Sequence, residues 1–194
     1  PRPFVVCLAC AGVVVENAVA FTNLNFRGWR IDGDALARYF DFCRVRIIND
    51  FVAQGLGCLS LRNSELVKLG GGEPEPNAPK AMLGAGTGLG QCFLTADSRG
   101  VYTAWPSEGG HTEWSPRNEL MLDLLGYLRQ LYSSSSDKEL LAGSRPKRVS
   151  VERVVSGLGL SNLYAFLREH WAYIEHVRPE FDAEYLALPR QKHG

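Results

Sequence analysis

The chain has 194 residues, 45% of them hydrophobic and 22% charged, which is enough apolar material for the core of one domain or two small ones. Its 21 basic residues are matched by 21 acidic ones, so net charge gives no reason to expect a nucleic-acid or anionic-membrane partner. No apolar run approaches the roughly 18 residues of a membrane span and no secretory leader pattern opens the chain, so a cytoplasmic location is expected.

Residues 4–9 are a continuous apolar run, the pattern of a strand buried on both faces. Cys7 lies within it and Cys10 directly follows it. Three residues apart on a strand they point to opposite faces, which excludes a shared metal, and both read as small buried hydrophobes. The five cysteines are irregularly spaced, which argues against a disulfide framework. The chain opens on Pro1 in strand-like sequence, so natural sequence is expected to precede it. Residues 13–21 read as a hairpin or two short strands. Asp32 or Asp34 can cap a short helix over 35–42, with Leu36, Tyr39 and Phe40 as its apolar face. A strand over 45–48 leads to a helix over 51–59, weakened by Gly55 and Gly57.

The Gly- and Pro-rich stretch 70–79 is the clearest boundary and divides the chain into 1–72 and 73–194. A strand over 80–83 enters Gly84-Ala85-Gly86-Thr87-Gly88-Leu89-Gly90, and strands over 91–96 and 101–105 follow. Leu120, Leu124, Leu128 and Leu131 predict a helix over 118–132. Ser133–Ser136 is a low-complexity loop, and Arg145–Arg148, the only basic cluster, reads as a solvated loop. Residues 150–155 are ambiguous between a strand and a helix start. A helix is predicted over 161–171, and the tail from Pro179 has no strong pattern. Strands alternate with helices, so the class is α/β.

Four segments carry residues suited to chemistry. Asn49-Asp50 closes a β-branched strand, where α/β proteins bind ligands. A carboxylate there can take a proton from a hydroxyl that a neighbouring amide holds. Taken alone, an ordinary helix cap explains Asp50 better. Glycines at alternate positions from 84 to 90 let backbone N–H groups approach an anion, with Thr87 adding a hydroxyl. No Gly-Lys-Ser/Thr follows, so this is no Walker loop. Glu108-Gly109-Gly110-His111 sets two hydrogen-bonding side chains around a glycine pair, which suits a polyol; too few further ligands surround it for a metal site. Glu152 interrupts an apolar run, either as a solvent-facing edge or as a carboxylate turned into a cleft. Asn23, after a strand, carries the same ambiguity.

In this order and spacing, the segments resemble the bacterial-type glucokinase family of the hexokinase and actin-like ATPase superfamily. The matching stretches are Thr22-Asn23, Ile47-Ile48-Asn49-Asp50-Phe51, Gly70-Gly71, Gly84–Gly90, Glu108-Gly109-Gly110-His111 and Glu152–Gly157 leading to Asn162-Leu163-Tyr164. The resemblance implies an incomplete actin-like (ribonuclease H-like) fold of two lobes around a cleft. The small lobe, 1–72, would carry Asp50, and the large lobe, 73–194, the phosphate loop and most sugar ligands. It implies Asp50 as general base for the 6-hydroxyl of glucose and Asn23, Asn49, Glu108, His111 and Glu152 as sugar ligands. Gly86, Thr87 and Gly88 would contact the phosphates of ATP, with Mg2+ as its companion. A homodimer is left open. The family's opening Asp-x-Gly-Gly-Thr loop and its closing adenosine motif are not in this sequence, so an active kinase, a sugar-binding remnant and an inert fragment all stand as readings.

Overall fold

A computed structural model describes residues 5–21, 29–132 and 148–188. Asn23, the Ser133–Ser136 loop and Arg145 to Lys147 lie outside the described residues. The chain divides into two compact units, Pro1–Leu83 with Gln91–Ser107, and Gly84–Gly90 with Glu108–Gly194.

The first unit holds β1 (Val5–Cys10), β2 (Val14–Val15), β3 (Ala18–Ala20), β4 (Arg30–Asp32), α1 (Gly33–Phe40), β5 (Arg44–Asn49) and α2 (Asp50–Cys58). β1 and β5 pair in parallel with Cys10 opposite Asn49, and β2, β3 and β4 form an antiparallel sheet. Cys10, Val19 and Ile47 make the buried centre, flanked by Leu8, Val14, Phe21 and Ile31. β1 is covered on one face only: Val5, Cys7 and Ala9 are exposed. That corrects the expected two-sided burial and the reading of Cys7 as a buried hydrophobe, since among the described residues nothing covers the second face.

Asp32 caps α1, its Oδ1 accepting from the backbone N–H of Asp34 and Ala35 at 3.1 and 3.0 Å. The helix stops at Asp41, which is left-handed at φ 54°. Tyr39 and Phe40 are not an inward face as expected. They are 81% and 51% exposed and meet edge to face, with Phe40 stacked on Phe42.

Asn17 fixes β5 from the side. It occupies the tight turn between β2 and β3 at φ 60°, a conformation asparagine tolerates. Its Oδ1 accepts the Ile47 N–H at 2.9 Å, and its Nδ2 donates to the Val45 carbonyl at 3.0 Å and to Asp34 Oδ1 at 2.8 Å. One side-chain amide thus pairs with the edge of β5 as a strand would. β5 ends in Asn49, and α2 follows without a loop.

β6 (Lys80–Ala85), β7 (Leu89–Ala96) and β8 (Tyr102–Ser107) form a three-stranded sheet with β7 in the centre. α2 packs on β8. The turn between β6 and β7 belongs to the second unit.

The second unit contains α3 (Glu119–Leu131), α4 (Gly157–Leu167) and α5 (Pro179–Ala187). Its core is Leu124, Leu128, Val149 and Phe166. Leu131, expected on the same face, is 38% exposed. α4 begins four residues before its predicted start, because the buried Ser156 caps it through the Gly159 N–H at 2.9 Å. Val151–Arg153 resolves as a short 3-10 turn, neither strand nor α-helix. The tail, patternless in sequence from Pro179, is helical over Pro179–Ala187. Pro179 suits the first helical position, and a two-pronged ion pair docks the helix on α4. Arg168 Nε reaches Asp182 Oδ1 at 2.6 Å, Nη2 reaches Oδ2 at 2.7 Å, and the Tyr164 hydroxyl donates to Oδ1 at 3.1 Å.

Replacing Asn17 with Gly keeps the left-handed turn and removes the amide. Urea unfolding should show a loss of about 1–3 kcal/mol, because two backbone groups of β5 lose their partners. The Arg168 hydrogen bonds hold the Asp182 carboxyl below its ordinary value. Its stabilising effect is therefore present above the unfolded aspartate value of about 3.9 and is lost as pH falls through the lower folded value. The hydrogen-exchange protection factors of the α5 amides, rates taken relative to the free chain at the same pH, should fall in that acid window in the wild type. In Asp182→Asn they should be low already at neutral pH, with no further acid response.

Candidate functional site

In the first unit, the end of β5 places Asn49 and Asp50 side by side and gives them different work. The N-cap of α2 is Asn49. Its Oδ1 accepts from the N–H groups of Phe51 and Val52 at 2.9 and 3.2 Å, and its Nδ2 donates to the Gly12 carbonyl at 3.1 Å. One amide proton of Asn49 is left to spend on a ligand. Asp50 follows in the first turn, where the helix dipole favours a negative charge. Its Oδ1 takes only the adjacent Phe51 N–H at 3.0 Å. Among the described residues its Oδ2 has no hydrogen-bond partner. The cap that competed with a chemical role for Asp50 is thus supplied by its neighbour. Asp50 is half-buried. Its charge adds to the burial that pushes the Cys10 thiol up, burial being the larger cause.

In the second unit, three separated stretches meet. Gly109–His111 is a 3-10 turn that brings His111 back towards Glu108, with His111 Nε2 3.5 Å from Glu108 Oε2. His111 Nδ1 lies 4.0 Å from Glu152 Oε1. Glu108 and His111 side chains are 58% and 60% exposed, whereas Glu152 is 24% exposed. This leaves exposed oxygens and a ring nitrogen beside a sheltered carboxylate.

Backbone bonds lock the stretches together. Val151 N–H donates to the Thr112 carbonyl at 3.0 Å and Trp114 N–H to the Val149 carbonyl at 2.8 Å. Asn162, buried in α4, donates to the Arg153 carbonyl at 2.8 Å and to the Tyr132 hydroxyl at 3.0 Å. Those contacts close the turn that presents Glu152.

The glycine turn is held against this assembly. Glu152 Oε2 accepts the Leu89 N–H at 2.9 Å, and Gly157 N–H donates to the Gly86 carbonyl at 2.7 Å. None of the glycines in the turn has a positive φ; at Gly88 it is close approach that requires one. A Cβ on Gly88 would collide with Glu152 Oε2, and one on Gly110 with the Leu89 carbonyl. Gly86 is different: nothing lies within 4 Å of where its Cβ would stand, and Thr87 is exposed. An open, exposed turn of this kind fits a phosphate tail. Among the described residues no group of three or more His, Cys, Asp or Glu side chains is arranged to hold a metal ion.

Glu108, His111, Glu152, Gly86, Thr87 and Gly88 thus come together in one unit, and Asn49 and Asp50 in the other. Asn23 lies outside the described residues. Leu89, Gly157 and Asn162 were given no role from sequence. Leu89 and Gly157 act through backbone N–H groups, which residue type does not announce. Asn162 could have been found as an amide inside an apolar helix pattern.

The division of work at α2 is testable by stability. Asn49→Ala should cost about 1 kcal/mol in urea unfolding, the usual loss of a cap. Asp50→Ala should cost less, and the reverse order would contradict the assignment.

The Glucokinase family model matches residues 1–188. The glucokinase of Synechocystis sp. is 39% identical over 186 residues, covering 96% of this chain and 48% of that protein. The glucokinase of Nostoc sp. is 44% identical over 168 residues, covering 87% and 44%. The crystal structure of glucokinase from an Antarctic psychrotroph matches with a TM-score of 0.64 at 28% identity, over 92% of this chain and 53% of that one. Glucokinase from Balamuthia mandrillaris in complex with glucose matches with a TM-score of 0.66 at 25% identity, over 94% and 50%. The chain spans about half the length of the curated relatives it matches. The α/β, actin-like fold expected from the motifs is the fold of these neighbours. The chain belongs to the glucokinase family.

Proposed function

We propose that the protein carrying this chain is an ATP-dependent glucose kinase acting on the sugar's 6-hydroxyl. The observation that carries the sugar site is the convergence of Glu108, His111 and Glu152. Two carboxylates and an imidazole lie within 4.0 Å in sequence along Glu108–His111–Glu152, and charge-assisted acceptors beside a ring nitrogen are the chemistry that binds neighbouring hydroxyls. The glucose in complex with the Balamuthia mandrillaris glucokinase supports the choice of sugar.

Asp50 is the proposed general base. Its uncommitted Oδ2 takes the 6-hydroxyl proton as that oxygen becomes the nucleophile, while Asn49 orients the hydroxyl with its remaining amide proton. Glu108, His111 and Glu152 hold the ring, with Asn23 as a further ligand. Gly86, Thr87 and Gly88 would hold the phosphate tail of ATP. When bound, ATP supplies the phosphoryl group, and Mg2+ neutralises phosphate charge. The protein's share is positioning and electrostatics, since phosphoryl transfer asks for little covalent chemistry from side chains.

In the full-length protein, Asp50→Ala should lower turnover by about 10²–10⁴-fold, the usual contribution of a general base, while glucose affinity stays within a few fold. Glu108→Ala should weaken glucose binding by about 1.5–3 kcal/mol, the range for a hydrogen bond to a charged group. Near-normal turnover in the first variant would remove Asp50 from the base role. Unchanged affinity in the second would move the sugar site elsewhere.

A further inference from the structure

We propose that Gly88 and Glu152 are a positioning pair, in which the missing side chain at residue 88 sets the carboxylate that faces the sugar. The inference rests on the reading of Glu152 as a sugar ligand and extends it to a residue of the turn assigned to phosphate.

Glu152 divides its two oxygens. Oε2 is turned into the glycine turn, where it accepts the Leu89 N–H at 2.9 Å. Oε1 is turned towards His111, 4.0 Å from its Nδ1. A Cβ on Gly88 would overlap Oε2 and stand 3.1 Å from the Glu152 Cδ. The carboxylate has no room to yield by a backbone shift, because its turn is tied on both sides. Val151 N–H bonds the Thr112 carbonyl at 3.0 Å, and Asn162 Nδ2 bonds the Arg153 carbonyl at 2.8 Å. The glycine turn is tied too, by the Gly157 N–H on the Gly86 carbonyl at 2.7 Å. A methyl group at residue 88 therefore has one outlet: it rotates the Glu152 side chain off Leu89 and moves Oε1 with it.

The consequence runs in both directions. A substitution in the glycine turn should read out as a loss of glucose affinity with no nucleotide present. Glucose held on Oε1 should in turn stabilise the rotamer that grips the Leu89 N–H, because coupling between two equilibria is reciprocal.

The test is calorimetric titration of glucose, without nucleotide, into the full-length protein and its Gly88→Ala, Gly126→Ala, Glu152→Ala and Gly88→Ala/Glu152→Ala variants. Gly88→Ala should bind glucose about ten-fold or more weakly, as expected when a charge-assisted acceptor is displaced. Gly126→Ala, where a Cβ meets nothing within 4 Å, should bind as the wild type. In the Glu152→Ala background the residue 88 change should add less than about two-fold, because both changes remove one interaction. Full additivity, or undiminished binding by Gly88→Ala, overturns the pair. Failure of the wild type to bind glucose would sink the sugar site itself and the pair with it. Should Gly88→Ala not fold, hydrogen exchange of the wild type decides: the Leu89 amide should exchange more slowly with glucose than without, and an unchanged rate overturns the proposal.

Discussion

One oxygen of Glu152 occupies the space that a side chain on residue 88 would fill, and it accepts the backbone N–H of the next residue. Much of the second unit serves that contact. Asn162 in α4 closes the turn that presents the carboxylate, Thr112 ties the same turn to the Glu108–His111 stretch, and Gly157 ties the start of α4 to Gly86. Val154, which follows that turn, and Leu163 in α4 pack against the core of Leu124, Leu128, Val149 and Phe166. A partly buried, hydrogen-bonded carboxylate is costly to orphan, so the contact constrains the glycine turn and the 3-10 turn as one object.

The first unit solves a different problem. A carboxylate at a helix start is readily taken up as the cap of that helix. Asn49 takes that position with two accepted bonds, and Asp50 is left in the first turn with an oxygen uncommitted. The register that allows this is set at a distance, where the amide of Asn17 pairs with the edge of β5. Slipping β5 by one residue would turn its side chains, Asn49 included, to the opposite face, because side chains on a strand alternate between faces.

The candidate residues stood out in the sequence where chemistry shows in residue type: carboxylates, an imidazole, an amide and closely spaced glycines. Why they matter was less legible. The glycines at 84–90 read as freedom to turn, whereas Gly88 is required by a carboxylate 64 positions further along the chain. The 150–155 stretch was ambiguous because Val151–Arg153 within it folds as a 3-10 turn, whose short period matches neither a strand nor an α-helix. α5 was invisible because its hold on α4 is short: an ion pair to Arg168 and the contacts of Phe181 and Tyr185 with one ring, Tyr164. β1 looked buried on both faces, although among the described residues only one face is covered.

The most direct measurement is a crystal structure of the full-length protein with glucose. The account predicts a sugar hydroxyl within hydrogen-bond distance of Glu152 Oε1 while Oε2 still accepts the Leu89 N–H. Glucose bound away from Glu152, or Glu152 turned off Leu89 to reach it, would contradict the account.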